Sequence, residues 1–303
     1  MGLKLGKLPP VIDKRTIPLS KILRVRFLPA LPLSYDIDES LGGIQDNFVF
    51  NNSQFGDCVI AARAHQTLRF EKFEQGIQIP ITDNEVVNEY LKESGGRDTG
   101  LVLLSSLKTW RKNGWKIGDK NYTIYAFASV NWGDHKEVKH CIHLLGGVNF
   151  GMQVFTEDIR QFQAGEGWHL TGQNGYFEGG HGVYSCAYRD IGNGIKSTQY
   201  LEDCKVVSYN QDGVWIMTWG KRQFATWDFW DARVDECYAI VDNRDSWLGN
   251  NSPVDLAKLD GYLHEITGQI TDEPGGCIFP FIGNLVKKVR NVRTKAISKQ
   301  SRI

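Results

Sequence analysis

No apolar run in this 303-residue chain approaches the ~20 residues that a membrane-spanning helix needs, which excludes an integral helical membrane protein. Net charge is also missing, with 35 basic residues against 35 acidic ones. The opening Met1-Gly-Leu-Lys-Leu-Gly6 has neither the apolar stretch of a secretory signal nor the Ser or Thr that a myristoylation signal places sixth, so a cytoplasmic or virion-associated protein is expected. The six cysteines (58, 141, 186, 204, 237 and 277) are scattered, and none forms a C-x-x-C pair. Free thiols are therefore the expectation, with no disulfide framework, structural zinc or other cofactor. What is present is ordinary for a globular protein, 41% hydrophobic and 23% charged, with nine tryptophans. The one strong asymmetry is at the end, where Lys287 to Arg302 carries seven basic residues and no acid. That run is a mobile solvated tail or a contact for nucleic acid or another acidic surface.

Residues 1–45, rich in Pro, Leu and basic residues, read as an extended arm lying over a body, as a clamp or as a cleft-blocking segment. Helical patterning begins at Asp57 and runs to about Phe73, with Ala61, Ala62 and Ala64 small enough for close packing. A second helix is expected after Thr82, whose spacing to Glu85 is that of a capping box. A third runs from about Leu101 to Asn113, before Gly114. Lys120–Val130 alternates like a strand, a helix follows from Asp134 to Leu145, and strands are expected at Val148–Val154, Gly182–Tyr188, Lys205–Tyr209, Val214–Thr218 and Cys237–Val241. A last helix is signalled by Ser252 as cap and Pro253 at its first position, ending at Gly268. The fold class is thus α+β, a mostly helical first half and a mostly antiparallel β second half.

The chemistry concentrates at Asn51-Asn-Ser-Gln-Phe-Gly-Asp-Cys58. A Gly-Asp turn delivers the thiol to a helix N-terminus, where unpaired amides and the positive end of the helix dipole favour thiolate. A cysteine nucleophile needs a base from elsewhere in the fold, and Gly179-Gly-His181-Gly offers one at the start of an apolar strand, with glycines that let another backbone or a substrate come close. Other patterns carry less. His140 and His143 are one helical turn apart with His135 nearby, but no third ligand is evident, so they read as a helix face. His65, seven residues along the helix from Cys58, reads as a packing residue. Leu145–Gly151 has the glycines of a phosphate loop in the wrong order of elements. Trp215, Trp219, Trp227 and Trp230 read as core and cleft wall.

Over residues 45–245 the order of these features resembles the papain-like cysteine peptidases: a Cys-headed helix, a strand, a His-headed strand, and a Trp-Gly pair after the next strand. The resemblance implies a papain-like domain over 46–245, with its cleft between the halves. The arm at 1–45, a helical extension at 246–286 and the basic tail at 287–303 would flank it. It further implies Cys58 as nucleophile, His181 as general base, and Trp219-Gly220 as the shield of the imidazole, with Val148–Val154 and Phe162–Trp168 standing for the strand and Gly-rich turn before the family's His.

Two positions depart from the family. Its oxyanion-binding Gln falls at Asn52, with Gln54 two residues on, and its His-orienting Asn falls at Met217, which cannot accept the ring N–H bond. Thr218, Asp228 and Asp231 are the candidate substitutes. The expected function is a cysteine hydrolase acting on a peptide or protein. The alternatives are transglutaminase-like acyl transfer, and a catalytically weak scaffold that serves as a structural or binding component, for instance of a phage or virus particle.

Overall fold

The structure, a computed structural model, describes residues 2–190 and 212–267. The expected strand at Lys205–Tyr209 and the basic tail lie outside the described residues.

The helix Cys58–Gln75 runs through the interior and is buried continuously from Cys58 to Glu71. Such a helix has no solvent face to carry its polar residues, so each must find a partner inside. Arg63 donates to Glu93 (2.6 Å) and to the Ser106 carbonyl (3.0 Å). Arg69 grips Asp38 through two bonds of 2.8 Å, and His65 Nδ1 lies 2.7 Å from Asp46. His65 is therefore a packing residue held by an acid. The helix stops at Gly76, which takes the left-handed conformation (φ 73°) that ends helices without a Cβ penalty.

Around the Cys58 end gather the helices Asp83–Glu93, opened by the expected Thr82/Glu85 capping box, and Leu103–Asn113, closed by Gly114. They share an apolar cluster containing Phe50, Ile60, Leu68, Tyr90, Leu107 and Trp110.

The other half is an antiparallel sheet. From one edge its strands are Ala126–Ser129, Val234–Val241, Val148–Phe155, Phe177–Arg189, Gly213–Thr218 and Lys221–Thr226. Ser34–Asp36 pairs onto the far end of the Phe177–Arg189 strand. A second core, with Val148, Phe150, Trp168, Val183, Phe229 and Trp230, fills this half.

Several expectations change. Lys120–Val130 is two strands, Lys120–Tyr122 in a small hairpin with Trp115–Ile117, and Ala126–Ser129 at the sheet edge. The expected strand at Val148–Val154 is there, and within Phe162–Trp168 the helix Thr156–Gln163, absent from the sequence reading, ends in a turn at Ala164-Gly165 before Trp168 bridges Ala225. The strand Lys221–Thr226 and the helix Trp227–Arg233 add to the elements expected from the sequence. The last helix is Leu256–Thr267, and its cap is Asp255, whose Oδ1 accepts from the Lys258 amide (3.3 Å). Ser252 instead turns its hydroxyl to the Val254 amide.

The arm is more structured than an extended strap. Ile17, Leu19 and Ile22 enter the sheet-side core, and Ser34–Asp36 joins the sheet. Residues 2–8 run between the two halves.

One irregularity shapes the cleft wall. Where Val148–Phe155 pairs with Val234–Val241, Gly151 faces Glu236 but Met152 faces Val234, leaving Asp235 as the extra residue of a bulge. A bulge breaks the strand's alternation, so consecutive side chains can approach one site.

Candidate active site

Cys58 heads its helix after Asp57, and the helix geometry leaves the first amides without intrahelical acceptors. The thiol Sγ accepts from the backbone N–H of Gly182 (3.3 Å), the residue after His181. Gly182 suits this close approach: a Cβ there would lie 3.0–3.3 Å from Val59 in the first turn of the Cys58 helix. The sequence's Cys and His are thus brought together where helix and sheet meet.

His181 is 1% exposed. Its Nε2 lies 2.7 Å from Thr218 Oγ1, and its Nδ1 has no hydrogen-bond partner among the described residues. The indole of Trp219 stacks on the imidazole at 4.2 Å and 16°. That Trp sits at φ 44° and Gly220 at φ 73°, the paired positive values of a tight two-residue hairpin between Gly213–Thr218 and Lys221–Thr226. A left-handed tryptophan is a strained residue, and the strain here places the ring over the imidazole.

Of the three substitutes for the missing Asn, the partner is Thr218. Asp228 is exposed in the first turn of the Trp227–Arg233 helix, and Asp231 is engaged by His135 at 2.7 Å. Met217 points elsewhere, into a separate apolar cluster with Ile37, Ala62 and Tyr184, because adjacent strand residues face opposite sides. Asn52 is also spent: its Nδ2 donates to the Phe55 carbonyl and to Asp57 Oδ1, both at 3.0 Å. An amide with both hydrogens committed to bracing its own loop has none for an oxyanion. Gln54 is exposed on the same loop.

Burial dominates the electrostatics. It pushes the Cys58 thiol up to about 11, against smaller lowering by the Gly182 and Gly6 amides, and pushes the His181 imidazole down to about 3. Both groups are therefore neutral near pH 7 as the protein stands. Burial likewise raises Asp57 to about 8, so this neighbour of the nucleophile is mostly uncharged at pH 7; where it does ionise, its charge raises the thiol further. Among the described residues no group of three His, Cys, Asp or Glu side chains is placed to hold a metal ion.

Beside the thiol lies a segment that sequence reasoning placed only loosely. Residues 2–8 lie in the cleft as a peptide. The Lys4 N–H donates to the Asn52 carbonyl (3.1 Å), and the Lys4 carbonyl accepts from the Trp219 indole (3.3 Å). The Gly6 carbonyl accepts from Leu101 (2.8 Å), the Lys7 N–H donates to the Gly180 carbonyl (3.0 Å), and the Leu8 N–H donates to the Leu101 carbonyl (2.9 Å). The walls are glycine where the peptide backbone passes: a Cβ at Gly100 or Gly180 would fall 2.3 or 2.4 Å from the Gly6 or Lys7 carbonyl oxygen. Beyond Trp219 a cavity of about 270 Å³, lined by Val49, Ser53, Phe162 and Lys221, borders Gly2 and Leu3.

Removing the Thr218 hydroxyl should weaken any catalysis that depends on an imidazolium. A hydrogen bond to a charged group contributes about 1.5–3 kcal/mol, so Thr218→Val is expected to lower kcat roughly 10- to 100-fold with KM little changed. A steady-state comparison showing equal kcat would remove Thr218 from the machinery.

Neither a protein-family model nor a curated protein sequence matches the chain. Solved structures do match by shape. Xylellain, a cysteine protease from Xylella fastidiosa, superposes with a TM-score of 0.58 at 17% identity, over 80% of this chain and 97% of that one. Procathepsin B S9 from Trypanosoma congolense gives 0.55 at 12%, over 79% and 87%. The Carica candamarcensis cysteine protease CMS1MS2 gives 0.50 at 13%, over 71% and 100%. Identities this low establish architecture, and the chain has the papain-like α+β fold.

Proposed function

We propose that the protein is a papain-like cysteine peptidase held latent by residues 2–8 of its own chain. The observation that carries the reading is the occupant of the cleft: a peptide, bonded through its backbone to both walls, across the sulfur of Cys58. A groove that accepts one extended peptide by main-chain bonds accepts others of suitable side chains.

The arm meets the nucleophile through its backbone: the Gly6 amide lowers the thiol, and the Gly6 carbonyl accepts from the Leu101 amide on the cleft wall. When the arm withdraws, water enters the open cleft and the burial that keeps both groups neutral is relieved before a substrate binds. His181 Nδ1 then takes the thiol proton, with Thr218 holding Nε2. The thiolate adds to the substrate carbonyl, and the oxyanion is met by the Cys58 backbone N–H and the Gln54 amide. The imidazolium returns its proton to the departing amine, leaving a thioester. Water, deprotonated by His181, adds to the thioester and releases the acid, which restores the thiol.

The test uses a full-length chain carrying Gly6→Val, in which the arm no longer fits, incubated with a mixed peptide pool and analysed by mass spectrometry. New carboxyl termini are expected, and their loss in the Gly6→Val/Cys58→Ala chain. Adding a primary amine separates hydrolysis from transfer, since amide products would point to acyl transfer. An intact pool, together with alkylation of Cys58 no faster than that of an ordinary thiol, would overturn the reading and leave the binding-scaffold alternative.

A further inference from the structure

The side chain of Lys7 leaves the arm and enters the sheet side of the cleft, where it is 5% exposed. Its stem passes over Gly151: a Cβ there would lie 1.8 Å from the Lys7 Cε. At the end of this channel Nζ lies 3.0 Å from Asp235 Oδ1, 3.1 Å from Asp235 Oδ2 and 3.1 Å from Glu236 Oε1. The bulge at Asp235 is what lets two consecutive strand residues reach one ammonium. The second Glu236 oxygen is fixed by the Tyr238 hydroxyl at 3.0 Å.

Asp235 Oδ1 and Glu236 Oε1 are buried and meet no hydrogen-bond donor among the described residues, so their compensation is the ion pair with Lys7. Once the arm withdraws, the pocket holds two carboxylates with no cation. A partly buried anionic pair facing a glycine-lined channel strongly disfavours an apolar side chain and favours a long cationic one.

We propose that this pocket is the specificity pocket of the enzyme and takes a lysine or arginine side chain of the substrate, with Lys7 occupying it in the latent state. The inference rests on the peptidase reading above. Lys7 adjoins Gly6, whose amide faces the sulfur, so the basic residue of a substrate falls within two residues of the cleaved bond.

The experiment compares paired peptides that differ only in Lys, Arg or norleucine at that position, with the full-length Gly6→Val chain and, should that variant fold poorly, with Lys7→Glu, which expels the arm by charge. Lys and Arg peptides are expected to exceed norleucine at least 100-fold in kcat/KM. Asp235→Asn/Glu236→Gln added to the Gly6→Val chain, whose arm is already displaced, should collapse the ratio toward unity. Equal rates for Lys and norleucine would overturn the proposal while leaving the peptidase reading intact. If nothing is cleaved, the peptidase reading fails, and the pocket is decided by fluorescence anisotropy with the same labelled peptides on the Gly6→Val/Cys58→Ala chain. A tenfold or greater preference for Lys over norleucine upholds the pocket, and equal affinities overturn it.

Discussion

A full-length chain carrying Gly6→Val is expected to lose Cys58 to iodoacetamide at least 100-fold faster at pH 7 than the unmodified chain. The argument is steric first. A Cβ at Gly6 would fall 1.8 Å from the Gly56 carbonyl oxygen and 2.6 Å from its Cα. Both are backbone atoms of the loop that precedes the nucleophile, so the arm must leave rather than adjust. It is electrostatic second. With the thiol pushed up to about 11 by burial, roughly 10⁻⁴ of it is thiolate at pH 7, whereas a thiol at the unperturbed ~8.5 is about 3% thiolate. That difference alone is about 300-fold, and access of the reagent adds to it. Mass spectrometry of the alkylated peptide, with Cys58→Ala as blank, reads the rate. Equal rates in the two chains would show that the arm does not control the thiol.

The second large effect is a pH window for closure of the arm. The imidazole sits at about 3 when covered and near 6.5 when exposed. A pKa lower in the closed state means that the open state binds more protons, so this contribution to closure is complete above about 6.5 and lost as pH falls toward 3. The slope is about 1.4 kcal/mol per pH unit. At pH 5 this amounts to about 2 kcal/mol, roughly 30-fold more opening. The thiol acts with the opposite sign. An exposed thiol ionises above about 8.5 while the covered one resists to about 11, so closure weakens again in alkali. Hydrogen exchange at the Gly6, Lys7 and Leu8 amides, corrected for intrinsic rates, should be slowest between about pH 6.5 and 8.5. His181→Ala should abolish the acid limb and spare the alkaline one. An acid limb that survives in His181→Ala would assign it to another group.

Much of the site was legible because its signals are local. The Gly-Asp-Cys58 turn, the glycines before His181 and the Trp219-Gly220 pair are each a few residues long, and their order along the chain matched the α+β fold. What escaped depends on alternation and register. Whether Thr218, Asp228 or Asp231 reaches the imidazole is decided by which side of the Gly213–Thr218 strand a residue faces and by a seven-residue helix that short-range patterning does not reveal. Asn52 aligned with an oxyanion donor by count, yet the loop uses it as a brace. The Lys7 pocket was missed altogether. Asp235-Glu236 at the start of an apolar strand was its only trace, and a bulge leaves no mark in a sequence that alternates normally on either side.

The arm is fastened at both ends of a short span. Residues 2–8 fill the cleft, Ile17, Leu19 and Ile22 are sunk in the core, and between them the chain crosses the surface, with Val11 51% and Ile12 93% exposed and Lys14 and Arg15 at the surface. A ligand tethered by about eight residues competes at an effective concentration of roughly millimolar. A free peptide of equal intrinsic affinity must reach that concentration to hold half of the clefts. One backbone cut between Pro9 and Thr16 changes no contact inside the cleft, yet it turns an intramolecular plug into a dissociable peptide that dilution washes out. On the latent-peptidase reading, the exposed span is therefore where release of the cleft is timed.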